Sequence, residues 1–299
     1  MPANLFNDIF ANYDKRIRPI DDQSQPVTLK VSYYLNSINE LNAITETLTT
    51  SGYLILQWKD SGLAWNPSDY NNITRTYIPQ DDVWKPDFVL QNGKAKIKEL
   101  GGDFYYVSVS HNGLVTWYPY EVFTTKCSID MTYYPYDVQS CDMKFTVWSY
   151  RAEDVNVSSK TAFRLTYFER SHIWDVKSTN AQVSVYDGGY VIVLYRLVLQ
   201  RKPAFFILNI LFPIALISFI MNIVFIIPTV SGSKIGFSVT IFLTFAVFLT
   251  VVSSQLPTNS ENTAIISTYI VVEISFSVLM LLVSALSSKT AAPWGRKDS

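Results

Sequence analysis

The run Cys127-Ser128-Ile129-Asp130-Met131-Thr132-Tyr133-Tyr134-Pro135-Tyr136-Asp137-Val138-Gln139-Ser140-Cys141 holds both cysteines of this 299-residue chain. In a β-rich domain facing an oxidising compartment, two such cysteines pair by default. Closing a loop of about 15 residues stabilises a fold by roughly 3 kcal/mol on the chain-entropy account. Two unrelated buried thiols are the alternative that cysteine count alone permits. Zinc is not indicated, because two Cys and the scattered His111 and His172 match no ligand spacing.

The sequence on either side reads as strands. Val27-Leu29-Val31, Tyr105-Val107-Val109, Val183-Val185 and Val191-Val193-Tyr195-Leu197-Leu199 alternate with period two. Asn66-Pro67, Asn92-Gly93, Gly101-Gly102, Asn112-Gly113 and Gly188-Gly189 punctuate the runs. Short strands at this spacing predict an antiparallel β-sandwich. Ahead of it, Leu5, Phe6, Ile9, Phe10 and Tyr13 recur at helical spacing and predict a short N-terminal helix.

Charge then divides the chain. Residues 1–203 hold 20 of the 24 Lys and Arg and 22 of the 25 Asp and Glu. The C-terminal third contains apolar stretches over about 204–227, 235–256 and 264–286, each long enough to cross about 30 Å of hydrocarbon. The expected organisation is an extracellular β-domain over 1–203, membrane helices over 204–288, and a short cytoplasmic tail or loop remnant over 289–299. Pro213 within the first stretch is tolerable if neighbours satisfy the carbonyl it frees. Met1 to Tyr13 lacks the basic start and apolar centre of a signal peptide, so an external domain implies one already removed. The net charge of −1 does not point to nucleic acid. No nucleophile–base pairing suggests an enzyme, and no cofactor is implied. Asn72-Ile73-Thr74 and Asn156-Val157-Ser158 are glycosylation sequons that suit an external surface.

The cysteine-bounded run, with its Tyr134-Pro135-Tyr136-Asp137 centre, resembles the signature loop of Cys-loop receptors, the pentameric ligand-gated ion channels. Trp84-Lys85-Pro86-Asp87 is similar to the family's first binding-loop segment, and Lys144-Phe145-Thr146-Val147-Trp148-Ser149-Tyr150 to the second. Ile227-Pro228 through Ser231-Gly232-Ser233-Lys234-Ile235, then Leu256-Pro257-Thr258, bracket a span much as in nicotinic acetylcholine receptors. The likeness runs through nearly the whole chain, in order. It implies a plasma-membrane subunit joined by four others, as a homo- or heteropentamer with the homopentamer favoured, in the lipid bilayer, with agonist bound between neighbours. Nicotinic sites hold a cation within aromatic rings, by cation–π attraction. Position by position, Trp148 matches the central tryptophan and Tyr190 and Tyr186 the tyrosines of the capping hairpin. Tyr53 falls where a tryptophan is usual on the complementary face, near Thr116 and Tyr118. Gln91 falls where a tyrosine is usual. The hairpin before Tyr190 is about five residues short and lacks the adjacent cysteine pair found over that site. Rings at strand spacing also serve as core or interface packing. An assembling subunit that binds no classical agonist is therefore the alternative function.

In the second span, Gly236, Thr240, Leu243, Val247, Thr250 and Ser254 share one helical stripe that excludes Phe237, Phe242, Phe245 and Phe248. Small and hydroxyl residues on one face suit either a water-lined pore or tight helix packing. The resemblance favours the pore, with Ser233 at its cytoplasmic mouth. Ser233, Val230 and Ser254 are neutral where relatives carry charge, and the anion-class Pro-Ala-Arg arrangement is missing. The expectation is cation permeation with little discrimination. Arg201 matches the family's transmission arginine, with Glu40, Glu46 and Asp137 as possible partners and Tyr134, Pro135 and Pro257 in the coupling loops. Glu273, inside the third span, is read as a hydrogen-bonded structural acid or a functional one.

Overall fold

The computed structural model describes residues 3–159, 162–186, 188–226, 233–256 and 263–291. The chain divides into two units: Met1–Asn42, Glu46–Ser128 and Ser140–Leu199 in one, and Ala43–Thr45, Ile129–Gln139 and Gln200–Ser299 in the other.

The first unit opens on helix α1 (Ala3–Phe10), which buries Leu5 and Ile9, one turn apart, as the spacing predicts. Eleven strands come next: β1 (Val27–Asn42), β2 (Thr47–Lys59), β3 (Arg75–Pro79), β4 (Phe88–Leu90), β5 (Tyr106–Ser110), β6 (Leu114–Trp117), β7 (Tyr120–Lys126), β8 (Val138–Val147), β9 (Val155–Ser158), β10 (Trp174–Val185) and β11 (Val191–Arg201). One sheet runs β3-β5-β6-β2-β1-β9, with β7 also paired to β2; the other runs β10-β11-β8-β4. The inward set of β1 (Val27, Leu29, Val31, Tyr33, Leu35) and that of β11 (Val191, Val193, Tyr195, Leu197, Leu199) are buried. Alternation gives each sheet one apolar face, and facing sheets bury those sides against each other. At the centre Tyr33 lies 5.6 Å from the ring of Phe123, 4.9 Å from Phe163 and 5.8 Å from Tyr195.

One pairing departs from the antiparallel expectation: β1 and β9 run parallel, from Val27 opposite Val155 to Lys30 opposite Ser158. A hairpin would force antiparallel direction, but these strands lie far apart in the chain and are free to pair either way. Gly52 is required where β2 crosses β1. A Cβ there would sit 2.3 Å from the Tyr34 carbonyl oxygen and 2.7 Å from the Tyr33 ring, closer than any side chain tolerates.

Among the described residues of the second unit, three helices are long and apolar enough to cross a membrane. The first span begins at Ala204–Phe206, widens into a π-helical turn at Ile207–Leu211 and continues as α-helix over Phe212–Ile223. Pro213 explains the widening, since it has no N–H for the carbonyl four residues back. The second span is Ser233–Ser253 and the third Ile265–Ala291. Serines join these two, with Ser238 Oγ 3.5 Å from Ser284 Oγ. The segment Ile129–Gln139 belongs to this unit, and its Thr132 carbonyl accepts the Ile265 N–H at 3.1 Å.

Candidate functional site

Trp148 stands just beyond β8, where the chain is anchored by the Trp84-Lys85-Pro86-Asp87 segment. Its N–H donates to the Asp87 carbonyl at 3.1 Å, and the Ser149 N–H donates to Asp87 Oδ2 at 2.7 Å. The similarity of those two segments to binding loops thus has a local cause: one carboxylate fixes the turn that presents the indole. Asp87 Oδ1 is buried without a hydrogen-bond partner among the described residues.

Tyr186 and Tyr190 flank the turn between β10 and β11. Gly188 and Gly189 take φ of +97° and +83° there, a left-handed backbone that glycine adopts at little cost. The Tyr186 N–H donates to the Tyr190 carbonyl at 2.9 Å, which closes the turn. On the far wall, the Gln91 N–H donates to the Lys144 carbonyl at 2.7 Å as β4 ends. These elements enclose a cavity of about 410 Å³ lined by Gln91, Thr146, Trp148, Tyr186, Tyr190 and Ile192. Thr146 and Ile192 carry no motif of their own. Both were findable, since each sits two residues from a cage aromatic and so faces the same side of its strand. Among the described residues no lining side chain carries a carboxylate, and those that line it offer a cation aromatic faces and neutral dipoles.

Tyr53, Thr116 and Tyr118 do not line that cavity. Tyr53 lies on β2 directly opposite Tyr34 of β1, and the two rings stack at 4.8 Å with an 8° angle between planes. Tyr167 is 6.5 Å from both. Burial pushes the Tyr53 hydroxyl's pKa up, with help from neighbouring Tyr167, Tyr34 and Tyr118. Thr116, on β6, accepts a hydrogen bond from Gln57 Nε2 at 3.2 Å and is buried, whereas Tyr118 is exposed. Tyr34 and Tyr167 are additions to the expected set. The outward turn of Tyr34 follows from the inward turn of Tyr33, but Tyr167 lies in a loop with no period to reveal it.

Cys127 and Cys141 form a disulfide, with Cα atoms 5.0 Å apart. Within the second unit, Arg201 pairs with Asp137, one of its three possible partners. Arg201 Nε donates to Asp137 Oδ1 at 2.6 Å and its NH2 group to Oδ2 at 3.0 Å. Asp137 also accepts from Gln139 Nε2 at 2.7 Å. The guanidinium carbon lies 5.1 Å from the Tyr134 ring and 5.4 Å from that of Phe206, so charge and aromatic faces both hold it. Burial pushes the Tyr134 hydroxyl's pKa up to about 12, against the lowering influence of Arg201. The Tyr134–Pro135 peptide bond is cis. Glu40 instead accepts from Asn42 Nδ2 at 2.9 Å. The Glu46 carbonyl accepts the Cys127 N–H at 2.9 Å.

Along the second span, Ser233, Gly236, Thr240, Leu243, Val247, Thr250 and Ser254 are all exposed, whereas Ser238, Ile241, Phe245 and Val252 are buried. Thr240 and Thr250 donate their hydroxyls to carbonyls one turn back, Gly236 and Ala246, both at 3.0 Å. The helix therefore offers a face of small, apolar and internally satisfied hydroxyl groups. In the third span, the Tyr269 hydroxyl, one turn before Glu273, lies 3.0 Å from Ser218 Oγ. Pro257 and Val230 lie outside the described residues. Both sequon asparagines, Asn72 and Asn156, are exposed. Among the described residues no three His, Cys, Asp or Glu side chains gather as metal ligands.

Residues 2–203 match the model of the neurotransmitter-gated ion-channel ligand binding domain, and residues 210–290 that of the neurotransmitter-gated ion-channel transmembrane region. Acetylcholine receptor subunit alpha-1-B of Xenopus laevis is 31% identical over 99% of this chain and 68% of its own length. Acetylcholine receptor subunit alpha of Danio rerio is 31% identical over 96% of this chain and 64% of its own. Acetylcholine receptor subunit delta of Xenopus laevis is 32% identical over 89% and 55%. The chain thus spans about two thirds of the length of the alpha subunits it matches. With a ligand-binding-domain match ahead of membrane-crossing helices, the chain is a multi-pass plasma-membrane protein that belongs to the neurotransmitter-gated ion-channel family.

Proposed function

We propose that this chain is a subunit of a pentameric channel, joined by four further copies, in which agonist bound at the subunit interface opens a cation-permeable pore lined by the second span. Residues 1–203 serve as the extracellular ligand-binding domain, 204–288 as the membrane region and 289–299 as a short cytoplasmic tail or loop remnant. The observation that carries this reading is the cavity of about 410 Å³ walled by Trp148, Tyr186, Tyr190 and Gln91. A small cation fits it by chemistry, each ring contributing about 0.5–2 kcal/mol when desolvated. The Tyr34, Tyr53 and Tyr167 cluster, with Tyr118, is the surface that a neighbouring copy presents to that cavity. Sites of this kind form from two faces that no single chain brings together.

Ligand shifts the closed–open equilibrium by its differential affinity for the two states. The Arg201–Asp137 pair and the Tyr134-Pro135 loop transmit the change, with Pro257 in the receiving loop. Leu243 and Val247 form apolar rings that gate by dewetting. The neutral Ser233 and Ser254 leave the mouths without a field that concentrates one sign of ion. Asn72 and Asn156 carry glycans.

Single-channel recording of the homomer across a panel of ammonium ligands in asymmetric salts tests the reading. Conduction reversing near the cation equilibrium potential is expected, with easier opening in Leu243→Thr. Silence of both proteins, with surface pentamers verified, would sink it. A second reading, an assembling subunit with no agonist of its own, draws on Gln91 and the short Gly188-Gly189 cap. It predicts currents only when other subunits are co-expressed.

A further inference from the structure

Given the aromatic cavity as the agonist site, the reading on which this inference rests, its lining decides what kind of cation it selects. Trp148, Tyr186 and Tyr190 attract any ammonium through their ring faces, whether or not its nitrogen bears hydrogen. The remaining lining residues therefore set the preference among amines. Ile192 is apolar. Thr146 Oγ1 already donates to the Val191 carbonyl at 2.8 Å. That hydroxyl keeps its acceptor lone pairs but is buried, whereas the exposed Gln91 amide offers the stronger, carbonyl acceptor.

Gln91 also stands on a fixed wall. Its N–H is held by the Lys144 carbonyl at 2.7 Å. The next residue, Asn92, donates to the Asp142 carbonyl at 2.7 Å and accepts the Lys144 N–H at 2.9 Å. The Tyr186 and Tyr190 side chains are exposed, as Gln91 is, but they sit astride a two-glycine turn. Gln91 also lies in a turn, just past β4, but its hydrogen bond and those of Asn92 pin its backbone. A pinned acceptor is better placed to discriminate than one on a freer turn.

We propose that this site takes a protonated amine bearing N–H bonds, a primary or secondary alkylammonium, in preference to a quaternary ammonium, with Gln91 as the selecting residue. An N⁺–H group donates to the Gln91 carbonyl in a charge-assisted hydrogen bond. A quaternary nitrogen at the same place strips water from the amide and returns no hydrogen bond, the circumstance in which polar sites discriminate most strongly.

The test is a methylation ladder on the assembled full chain in detergent: phenethylamine, its N-methyl and N,N-dimethyl forms, and the trimethylammonium. Binding is read from quenching of tryptophan fluorescence, with Trp148→Phe giving the background. The expected result is affinity that falls about tenfold or more from the primary to the quaternary member. Gln91→Met should flatten the ladder, and Gln91→Tyr should turn it towards the quaternary ion. A wild-type ladder that is flat or rises with methylation overturns the inference and leaves the agonist site standing. An unchanged ladder in Gln91→Met overturns the role of Gln91. Failure of every member to bind at millimolar concentration overturns both the inference and the agonist site beneath it.

Discussion

Arg201 and Asp137 have side chains only 9% and 1% exposed, which makes their pairing an all-or-none arrangement. Removing one partner of a buried ion pair leaves the other charge without compensation, at a cost of about 3–5 kcal/mol. Arg201→Met should therefore lower the thermal midpoint and surface yield sharply. Arg201→Met with Asp137→Leu should recover much of the loss, because no lone charge is left behind. If recovered stability comes without ligand-evoked current, the pair is needed for transmission as well as folding. Asp60 makes a second prediction. Burial raises its carboxyl pKa above the usual range, although the Tyr13 hydroxyl, at 2.7 Å, and the Gly62 N–H both stabilise the charged form. A group whose pKa is higher folded than unfolded contributes stability below its unfolded pKa and loses it as pH rises through the folded value. The thermal midpoint of Asp60→Asn relative to the parent should thus rise as pH increases from about 4. A fall in the variant's midpoint relative to the parent over the same range would mean the charged carboxylate is the stabilising form.

At the scale of elements, the second span has two chemically distinct sides. Leu243 and Val247 are exposed, while Ile241, Phe245 and Val252 pack away from solvent. Single cysteines at positions 240, 243, 247 and 250 should react with a water-soluble methanethiosulfonate in assembled channels. Those at 241, 245 and 252 should resist it. Equal labelling of both sets would remove the pore assignment. Much at this scale was legible beforehand. Period-two alternation marked β1 and β11, and unbroken apolar length marked the spans, because both signals are local and repeat within one element. The π-helical turn at Ile207–Leu211 was half legible: Pro213 announced a freed carbonyl without saying how the helix would absorb it. The parallel pairing of β1 with β9 left no such mark, since strand direction across a long connection is decided by packing.

For the whole molecule, the Cys127–Cys141 crosslink restrains the unfolded chain in the middle of its sequence. Replacing both cysteines by serine should cost about 3 kcal/mol and lower the fraction recovered as pentamers in size-exclusion chromatography with light scattering. An unchanged pentamer fraction and thermal midpoint would show that packing alone suffices. What the sequence by itself determined was the kind of protein: a β-domain rich in charge, then spans almost free of it. The residues of the aromatic cage came from the resemblance to Cys-loop receptors, while the second-span stripe also followed from helical period. Only the tertiary structure decided which side chains meet. Arg201 met Asp137, Tyr53 found Tyr34 across β1 and β2 and Tyr167 from a loop, and Thr146 and Ile192 completed the cavity around Trp148. The physical reason is that periodicity records which face a residue occupies. Partners far apart in the chain are chosen by register and by the closing of one sheet over another.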